Sequence, residues 1–452
     1  MLTAEENQLL TRVGPGTPMG NLFRQYWLPA MLSEELPAPD SDPVRVMLLG
    51  EKLIAFRDSN GQVGLIQNHC PHRGASLFFG RNEEAGLRCV YHGWKFDVTG
   101  QCVDMPNEPA ESNFKSKVKA VAYPARERGG LVWVYMGPRS TPPELPDIEA
   151  NVIEPNTVRA HMRDGNWLQS MEGDLDSSHA GILHFGALKP EELPDGTFAQ
   201  LMVKYRNPRF AVVDHPAGTT YAVYCDADPG YEFWRLGQYF LPSFASPTPG
   251  LLGWERWAII LVPMDDYHVM RYDLNAPRIT PGDPPPARVP MALLPNTTDW
   301  FGRWRLVNQP GNDYLIDREV QRKNRGLNGY TGIAGVAQQD TALQGWTSMG
   351  PIDDRTKEHL ASTDAMIIRV RRRLMEAARA LAEGGTVPPG VDNPDWYRLR
   401  SGGVFLKKGE DWLEVTRDLQ KAYVDYDGVD MRQTSQGYAR AWGAAMATIA
   451  KA

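Results

Sequence analysis

From position 70 the chain reads Cys70-Pro-His72-Arg-Gly74, and after sixteen intervening residues comes Cys89-Val-Tyr-His92-Gly93-Trp94. Two Cys and two His in the interleaved form C-x-H and C-x-x-H constrain the local fold more than any other stretch. Both pairs must sit on short loops that converge on one metal centre, and the glycines permit the tight turns such loops need. Four ligands of this kind can hold a single zinc. They can equally hold a [2Fe–2S] cluster with both Cys on one iron and both His on the other. Zinc pairs are commonly Cys with Cys and His with His, whereas here each loop gives one of each, which suits two irons. His69 breaks the symmetry of the two halves and is left out of the set. Cys102 reads as a small buried residue, and Cys225 has no metal-binding neighbourhood.

A second constellation follows in Asn166-Trp167 … Asp174-Leu-Asp176-Ser-Ser-His179-Ala-Gly181-Ile-Leu-His184. Two imidazoles with a distant carboxylate form the facial triad of non-haem Fe(II) oxygenases, which leaves positions open for O2. On an ideal helix His179 and His184 point about 140° apart, so the spacing predicts that the helix ends or bulges between them, near Gly181. Asp176, three residues before His179, is placed on the same helix side to accept its second ring proton. The third ligand is expected to be Asp340, Asp353, Asp354 or Asp364, and spacing does not choose among them.

Around these motifs the chain is that of a sizeable globular protein. Its 36 Pro in 452 residues exceed the usual share of about 5% and favour ordered loops and edge strands over helical bundles. Forty-eight basic against 55 acidic residues leave a formal charge of −7, which argues against a nucleic-acid binder. No apolar run reaches the roughly 18 residues of a membrane span, and no secretory signal opens the chain. A cytoplasmic protein is expected. Thr3 and Glu6 have capping-box spacing for an N-terminal helix. Strands are predicted at Val44–Leu49, Leu53–Arg57, Val63–Gln67 and Leu131–Tyr135, with a linker at Pro138–Pro146. Beyond it, strands near Phe210–Val213, Tyr221–Cys225, Ala258–Val262 and Val269–Leu274 mix with helices, and Pro277–Pro295 reads as a loop. Glu358–Glu383 carries the clearest helical stripe. Its Arg369 and Arg371–Arg373 read as a solvated face, with a docking patch for an acidic partner as the alternative.

Taken together, Gly16-Thr-Pro-Met-Gly20 … Tyr26-Trp27, the two Cys–His pairs, the Asn166–His184 stretch and Gln339-Asp340 … Gly350-Pro-Ile-Asp-Asp-Arg355 … Glu358-His-Leu360 resemble the α subunits of Rieske non-haem iron oxygenases. The likeness is to the phthalate dioxygenase group, spans about three-quarters of the chain, and is weak between residues 190 and 330. It implies an α+β fold: an N-terminal antiparallel β Rieske domain plus a larger catalytic domain with a central antiparallel sheet flanked by helices. The domains would be an N-terminal helix and arm at 1–35 packing on the catalytic domain, a Rieske domain at 36–140 and a catalytic domain at 141–452. Cys70, His72, Cys89 and His92 would hold a Rieske [2Fe–2S] cluster, and His179, His184 and Asp340 a mononuclear non-haem Fe(II). Asp176 would bridge electron transfer from a Rieske histidine of the neighbouring subunit, with Asp174 a crowding second carboxylate. Implied partners are a NAD(P)H-dependent reductase carrying flavin and a plant-type [2Fe–2S] centre, O2, and further copies in a homotrimer or stacked-trimer hexamer.

The same resemblance implies cis-dihydroxylation of a phthalate-like aromatic acid. The alternatives are an O-demethylase or monooxygenase of a methoxylated aromatic acid, and, more distantly, an electron carrier with a non-catalytic C-terminal part. A carboxylate in an apolar pocket calls for a guanidinium, which makes Arg206, Arg209 and Arg235 the candidate substrate contacts.

Overall fold

The computed structural model describes residues 1–424 apart from 110, 194–197, 228, 249, 251, 254–255, 278–290 and 324–328. Most of the Pro277–Pro295 stretch expected as a loop therefore lies outside the described residues. The first third of the chain builds small antiparallel sheets. One joins Val44–Leu48, Glu51–Arg57, Val63–Gln67 and Ala122–Tyr123, and a second joins Arg81–Glu83, Gly86–Arg88, Lys95–Phe96 and Cys102–Asp104. The first strand ends one residue early because Leu49 and Gly50 both take positive φ, at 47° and 75°. They close a two-residue hairpin of the kind that matches strand twist. Ile54, Phe56, Ile66, Leu77, Leu87 and Phe96 fill the space between the sheets and pack around Cys70 and Cys89. A third sheet pairs Trp27–Leu32 with Leu131–Tyr135, so the segment just after the N-terminal helices is a strand. Trp27 Nε1 donates to Pro143 O at 2.7 Å, holding the segment 138–146, which has neither helix nor strand, against that sheet.

The larger part is an eight-stranded antiparallel sheet. In spatial order it runs Thr157–Asp164, His268–Ala276, Arg256–Pro263, Phe244–Ser246, Tyr231–Phe240, Gly218–Asp226 and Arg209–His215, with Gly402–Lys407 also pairing on Tyr231–Phe240. Thr157–Asp164 and Tyr231–Phe240 escape sequence patterning because their buried faces carry His161, Arg163, Arg235 and Gln238 in place of an apolar alternation. Among the described residues, no helix is long and apolar enough to cross a membrane.

Helices pack across this sheet. Ala4–Thr11 opens with the predicted capping box: Thr3 Oγ1 accepts from Glu6 N, and Glu6 Oε2 accepts from Thr3 N, both at 3.1 Å. The long helix runs Ala365–Gly384, starting seven residues later than the stripe suggested, and ends at Gly385 with φ +63°. Residues 358–361 are not helical because Glu358 is turned to Arg371. Arg371 corrects the reading of a solvated or docking face. It is buried, and it shares Glu172 with the fully buried Arg355. Arg369 pairs with Asp214, and Arg373 donates to the carbonyls of His215 and Gly218; Arg372 is exposed.

Glu172 thus ties the Trp167–Leu175 helix to the 350–355 segment and the long helix. Breaking a buried ion pair by removing one partner costs about 3–5 kcal/mol. Glu172→Gln is accordingly expected to lower the thermal midpoint clearly in a calorimetric scan; an unchanged midpoint would assign the three-residue cluster no stabilising role.

Candidate metal centres

The two Cys–His loops match hydrogen bond for hydrogen bond. Cys70 N donates to Ala75 O at 2.8 Å and Gly74 N to Cys70 O at 2.9 Å; Cys89 N donates to Trp94 O at 2.8 Å and Gly93 N to Cys89 O at 2.9 Å. Gly74 and Gly93 take φ +77° and +80°, which a side chain would strain. His72 is the third residue of its loop and His92 the fourth, yet their ring centroids lie 4.5 Å apart. The thiols are buried and the imidazoles partly exposed. Trp94 stacks on His72 at 4.3 Å and is itself held through Nε1 by Asn107 Oδ1 at 2.7 Å.

This donor set fits a cluster. Burial, with Cys89 close by, pushes the Cys70 thiol up to about 11, so this thiol gives up its proton when metal charge draws it off. His72 Nδ1 is buried without a hydrogen-bond partner, a lone pair facing inward for a metal to take.

The second centre is built where one helix stops. Asn166 caps Trp167–Leu175 by accepting from Leu168 N, and its Nδ2 donates to Thr11 O and Asp266 O at 2.9 and 2.8 Å. It thereby fastens the helix start to the N-terminal arm and a sheet hairpin. The helix ends at Asp176, in extended conformation, and a single turn, Ala180–Leu183, follows with His179 and His184 at its two ends. The break expected near Gly181 does not occur: His179 and His184 both keep helical dihedrals, and the helix is interrupted before His179 instead. His179 Nε2 and His184 Nε2 stand 3.2 Å apart, and Asp340 Oδ1 lies 3.4 and 3.3 Å from them.

Asp340 comes from the Val336–Gln344 helix, which lies close to Trp167–Leu175 because Gly173 has no side chain; a Cβ there would sit 2.0 Å from Gln344 Cδ. Gln169 reinforces the contact, donating to Gln344 O at 2.7 Å. Asp354 pairs with Lys357 at the surface, Asp353 accepts through its backbone from Asn7, and Asp364 bonds Ala361 N. Of the four candidate carboxylates, Asp340 is the one beside the histidines.

The buried Asp340 Oδ1 has no hydrogen-bond donor. Burial alone would raise Asp340, but His179 and His184 hold it far below the usual carboxylate range. Burial would also lower His179, yet Asp176 and Asp340 outweigh it and raise it to about 10. The three side chains therefore favour a positive charge at the point where their ligand atoms meet, and those atoms suit a facial triad.

Asp174 and Asp176 do different work. Asp174 is turned inward to Arg271, with Arg163 at 3.9 Å, in a buried network that continues to Asp273 and His161. Asp176 Oδ1 accepts from Ser178 N and Oγ at 2.7 and 2.6 Å, and Oδ2 lies 3.5 Å from His179 Nδ1. Since the helix has ended, a turn and not helical spacing brings these two together.

Of the three arginines, Arg206 is exposed and donates to Leu188 O at 3.1 Å, and Arg209 is exposed beside Asp226 and Glu232. Arg235 is buried, with Nη2 donating to Ser177 O at 3.1 Å, inside the turn between Asp176 and His179. Burial lowers its guanidinium to about 10. Sequence reading did not find the Glu172–Arg355 clamp. The signal was a charged residue flanked by apolar ones in a helix, answered by an arginine in a distant motif.

Known proteins agree with this geometry. A family model described as the Rieske [2Fe–2S] domain matches residues 26–122, and one described as LigXa C-terminal domain like matches 134–436. The chain is 44% identical over 426 residues to the 3-chlorobenzoate-3,4-dioxygenase oxygenase subunit of Comamonas testosteroni, covering 91% of this chain and 97% of that one. It is 36% identical over 437 residues to the phthalate 4,5-dioxygenase oxygenase subunit of Pseudomonas putida, covering 94% and 96%. To the 5,5'-dehydrodivanillate O-demethylase oxygenase subunit of Sphingobium sp. (strain NBRC 103272 / SYK-6) it is 32% identical over 396 residues, covering 85% and 82%. The solved structure of dicamba monooxygenase bound to dicamba shares the fold, with TM-score 0.54 at 18% identity over 79% of this chain and 98% of that one. With a Rieske [2Fe–2S] domain, a mononuclear iron site at His179, His184 and Asp340, and relatives alike over nearly their whole length, the chain belongs to the Rieske non-haem iron oxygenases as the oxygenase subunit of a multicomponent aromatic-ring dioxygenase.

Proposed function

We propose that this subunit cis-dihydroxylates an aromatic carboxylic acid of the phthalate or halobenzoate kind. Its electrons come from NAD(P)H through a reductase carrying flavin and a plant-type [2Fe–2S] centre. When bound, the cluster supplies one-electron transfer and the mononuclear iron activates O2. The observation that carries the acid is Arg235, a buried guanidinium joined to the turn that bears Asp176 and His179. A charge-assisted contact from this guanidinium to the acid's carboxylate would orient the ring toward the histidines, beside the bonds its Nη1 and Nη2 make to Met202 Sδ and Ser177 O at 3.3 and 3.1 Å. Arg206 and Arg209, being exposed, rank below it as substrate contacts.

Cys70, His72, Cys89 and His92 hold the cluster in this reading, and Asp176 connects it to the iron site of a neighbouring copy. Ser178 pins one carboxylate oxygen while the other faces His179, leaving lone pairs for a Rieske histidine of the next subunit. Apolar side chains stand exposed beside both centres, Val90 and Tyr91 on the second cluster loop and Ile182 and Leu343 near the iron ligands. That pattern supports head-to-tail contact between copies in a homotrimer or a stacked-trimer hexamer.

Product mass spectrometry tests the reaction. The reduced, iron-loaded enzyme would be given O2 with phthalates, halobenzoates and methoxybenzoates. A product gaining two oxygens and two hydrogens is expected. Loss of a methylene with release of formaldehyde would make the enzyme an O-demethylase, the reading that the likeness to the dehydrodivanillate enzyme favours. Arg235→Met is expected to raise KM for the acid by about tenfold or more, the loss of one charge-assisted contact, with the Rieske spectrum unchanged. An unaltered KM would remove Arg235 from the pocket.

A further inference from the structure

The Val336–Gln344 helix faces the His184 ring at both of its nitrogens. Asp340 Oδ1 lies 3.3 Å from Nε2, and the preceding residue, Gln339, sets its Oε1 2.7 Å from Nδ1. Gln339 is fully buried, and its Nε2 donates to Ile333 O at 2.9 Å. That second bond orients the amide. A backbone carbonyl only accepts, so the NH2 group faces Ile333 and the amide oxygen faces the ring. An amide oxygen also only accepts, so Nδ1 carries the ring hydrogen. Nε2 is left with its lone pair directed at Asp340 and at His179 Nε2. The other histidine is supported differently, since His179 Nδ1 faces the carboxylate of Asp176 at 3.5 Å.

We propose that Gln339 is a positioning residue for the mononuclear iron. It fixes the tautomer and ring angle of His184 and ties that ligand, through Ile333, to the loop ahead of the helix. It does so without adding charge, which leaves Asp340 and Asp176 as the carboxylates acting on the site. Without the amide oxygen, the buried Nδ1–H loses its acceptor. The ring then turns to the tautomer whose Nε2–H bonds Asp340, and that tautomer has no lone pair for iron at Nε2. The inference depends on the iron site and not on which aromatic acid is the substrate.

The test uses full-length enzyme with its Rieske centre intact and its mononuclear iron removed by chelation. Fe(II) is returned in competition with a chromophoric chelator, and the ferrous–nitrosyl EPR signal is recorded. Gln339→Met keeps length and loses both bonds; it is expected to weaken Fe(II) binding about 10- to 100-fold and to change the rhombicity of the nitrosyl signal. The Rieske visible spectrum, unchanged, reports that the protein is folded. Gln339→Glu keeps an acceptor for the ring and gives up the donor to Ile333, so it is expected to bind Fe(II) more tightly than the Met variant. Wild-type affinity and an unchanged nitrosyl signal in Gln339→Met would overturn the proposal. If that variant fails to fold, Gln339→Glu decides: retained Fe(II) binding supports the acceptor role, and loss of Fe(II) with an intact Rieske spectrum overturns it.

Discussion

Asp176→Asn is expected to keep both metal centres and to lower reductase-driven turnover by at least about 100-fold, the upper range for residues that support a metal ligand. The reason lies in hydrogen-bond polarity. Asp176 already accepts from Ser178 N and Oγ through one oxygen. Its other oxygen faces His179 Nδ1, and in the proposed relay a Rieske histidine of the next subunit would present a second ring N–H. A carboxylate accepts on both oxygens, whereas an asparagine with its oxygen on Ser178 turns an NH2 toward those donors. The substitution preserves volume, so neither iron content nor the Rieske spectrum should move. The measurement is steady-state turnover with the reductase beside a single turnover of chemically reduced enzyme. Wild-type rates in both would remove Asp176 from the relay.

The second large effect is at Asp340. Asp340→Ala is expected to lose the mononuclear iron selectively, with the cluster retained and turnover abolished. The carboxylate is what sets a negative charge against both Nε2 atoms, and two neutral imidazoles alone make a weak facial site. Iron analysis with Rieske EPR on the same sample checks it. A full complement of iron in the variant would mean that another group completes the site.

Both experiments concern residues that differ in how openly the sequence announces them. The cluster ligands are legible because their chemistry is local: Cys70 and His72, then Cys89 and His92, each lie on one short loop whose glycine enforces the turn. His179 and His184 were legible only as a conflict, since helical geometry points them apart, yet the structure keeps one unbroken helical turn between them and their Nε2 atoms still converge to 3.2 Å. Spacing alone left Asp340 as one of four carboxylates, and only the motif likeness named it ahead of the fold. What selects it is the absence of a side chain at Gly173 and the shape of a distant helix, which spacing does not encode. The strands carrying His161, Arg163 and Arg235 were invisible for a related reason. Their inward faces serve a charged network and the iron-binding turn, so the apolar alternation that marks a strand is replaced by polar residues paired across the interior. Arg371, read as a solvated charge, fails in the same way, because Glu172 lies nearly 200 positions before it.

The iron site draws its histidines and its carboxylate from stretches separated by about 150 residues, while the cluster loops lie close together and early. During synthesis at roughly 5–20 residues per second, Asp340 emerges about ten to thirty seconds after His184. The nascent chain therefore has every ligand for the iron–sulfur centre long before it has a place for the second metal. The order of residues along the chain thus lets the electron-transfer centre assemble first. The centre that meets O2 forms only once the helix bearing Asp340 has closed over Gly173, so a chain truncated before that helix would carry the redox cluster and no oxygen chemistry.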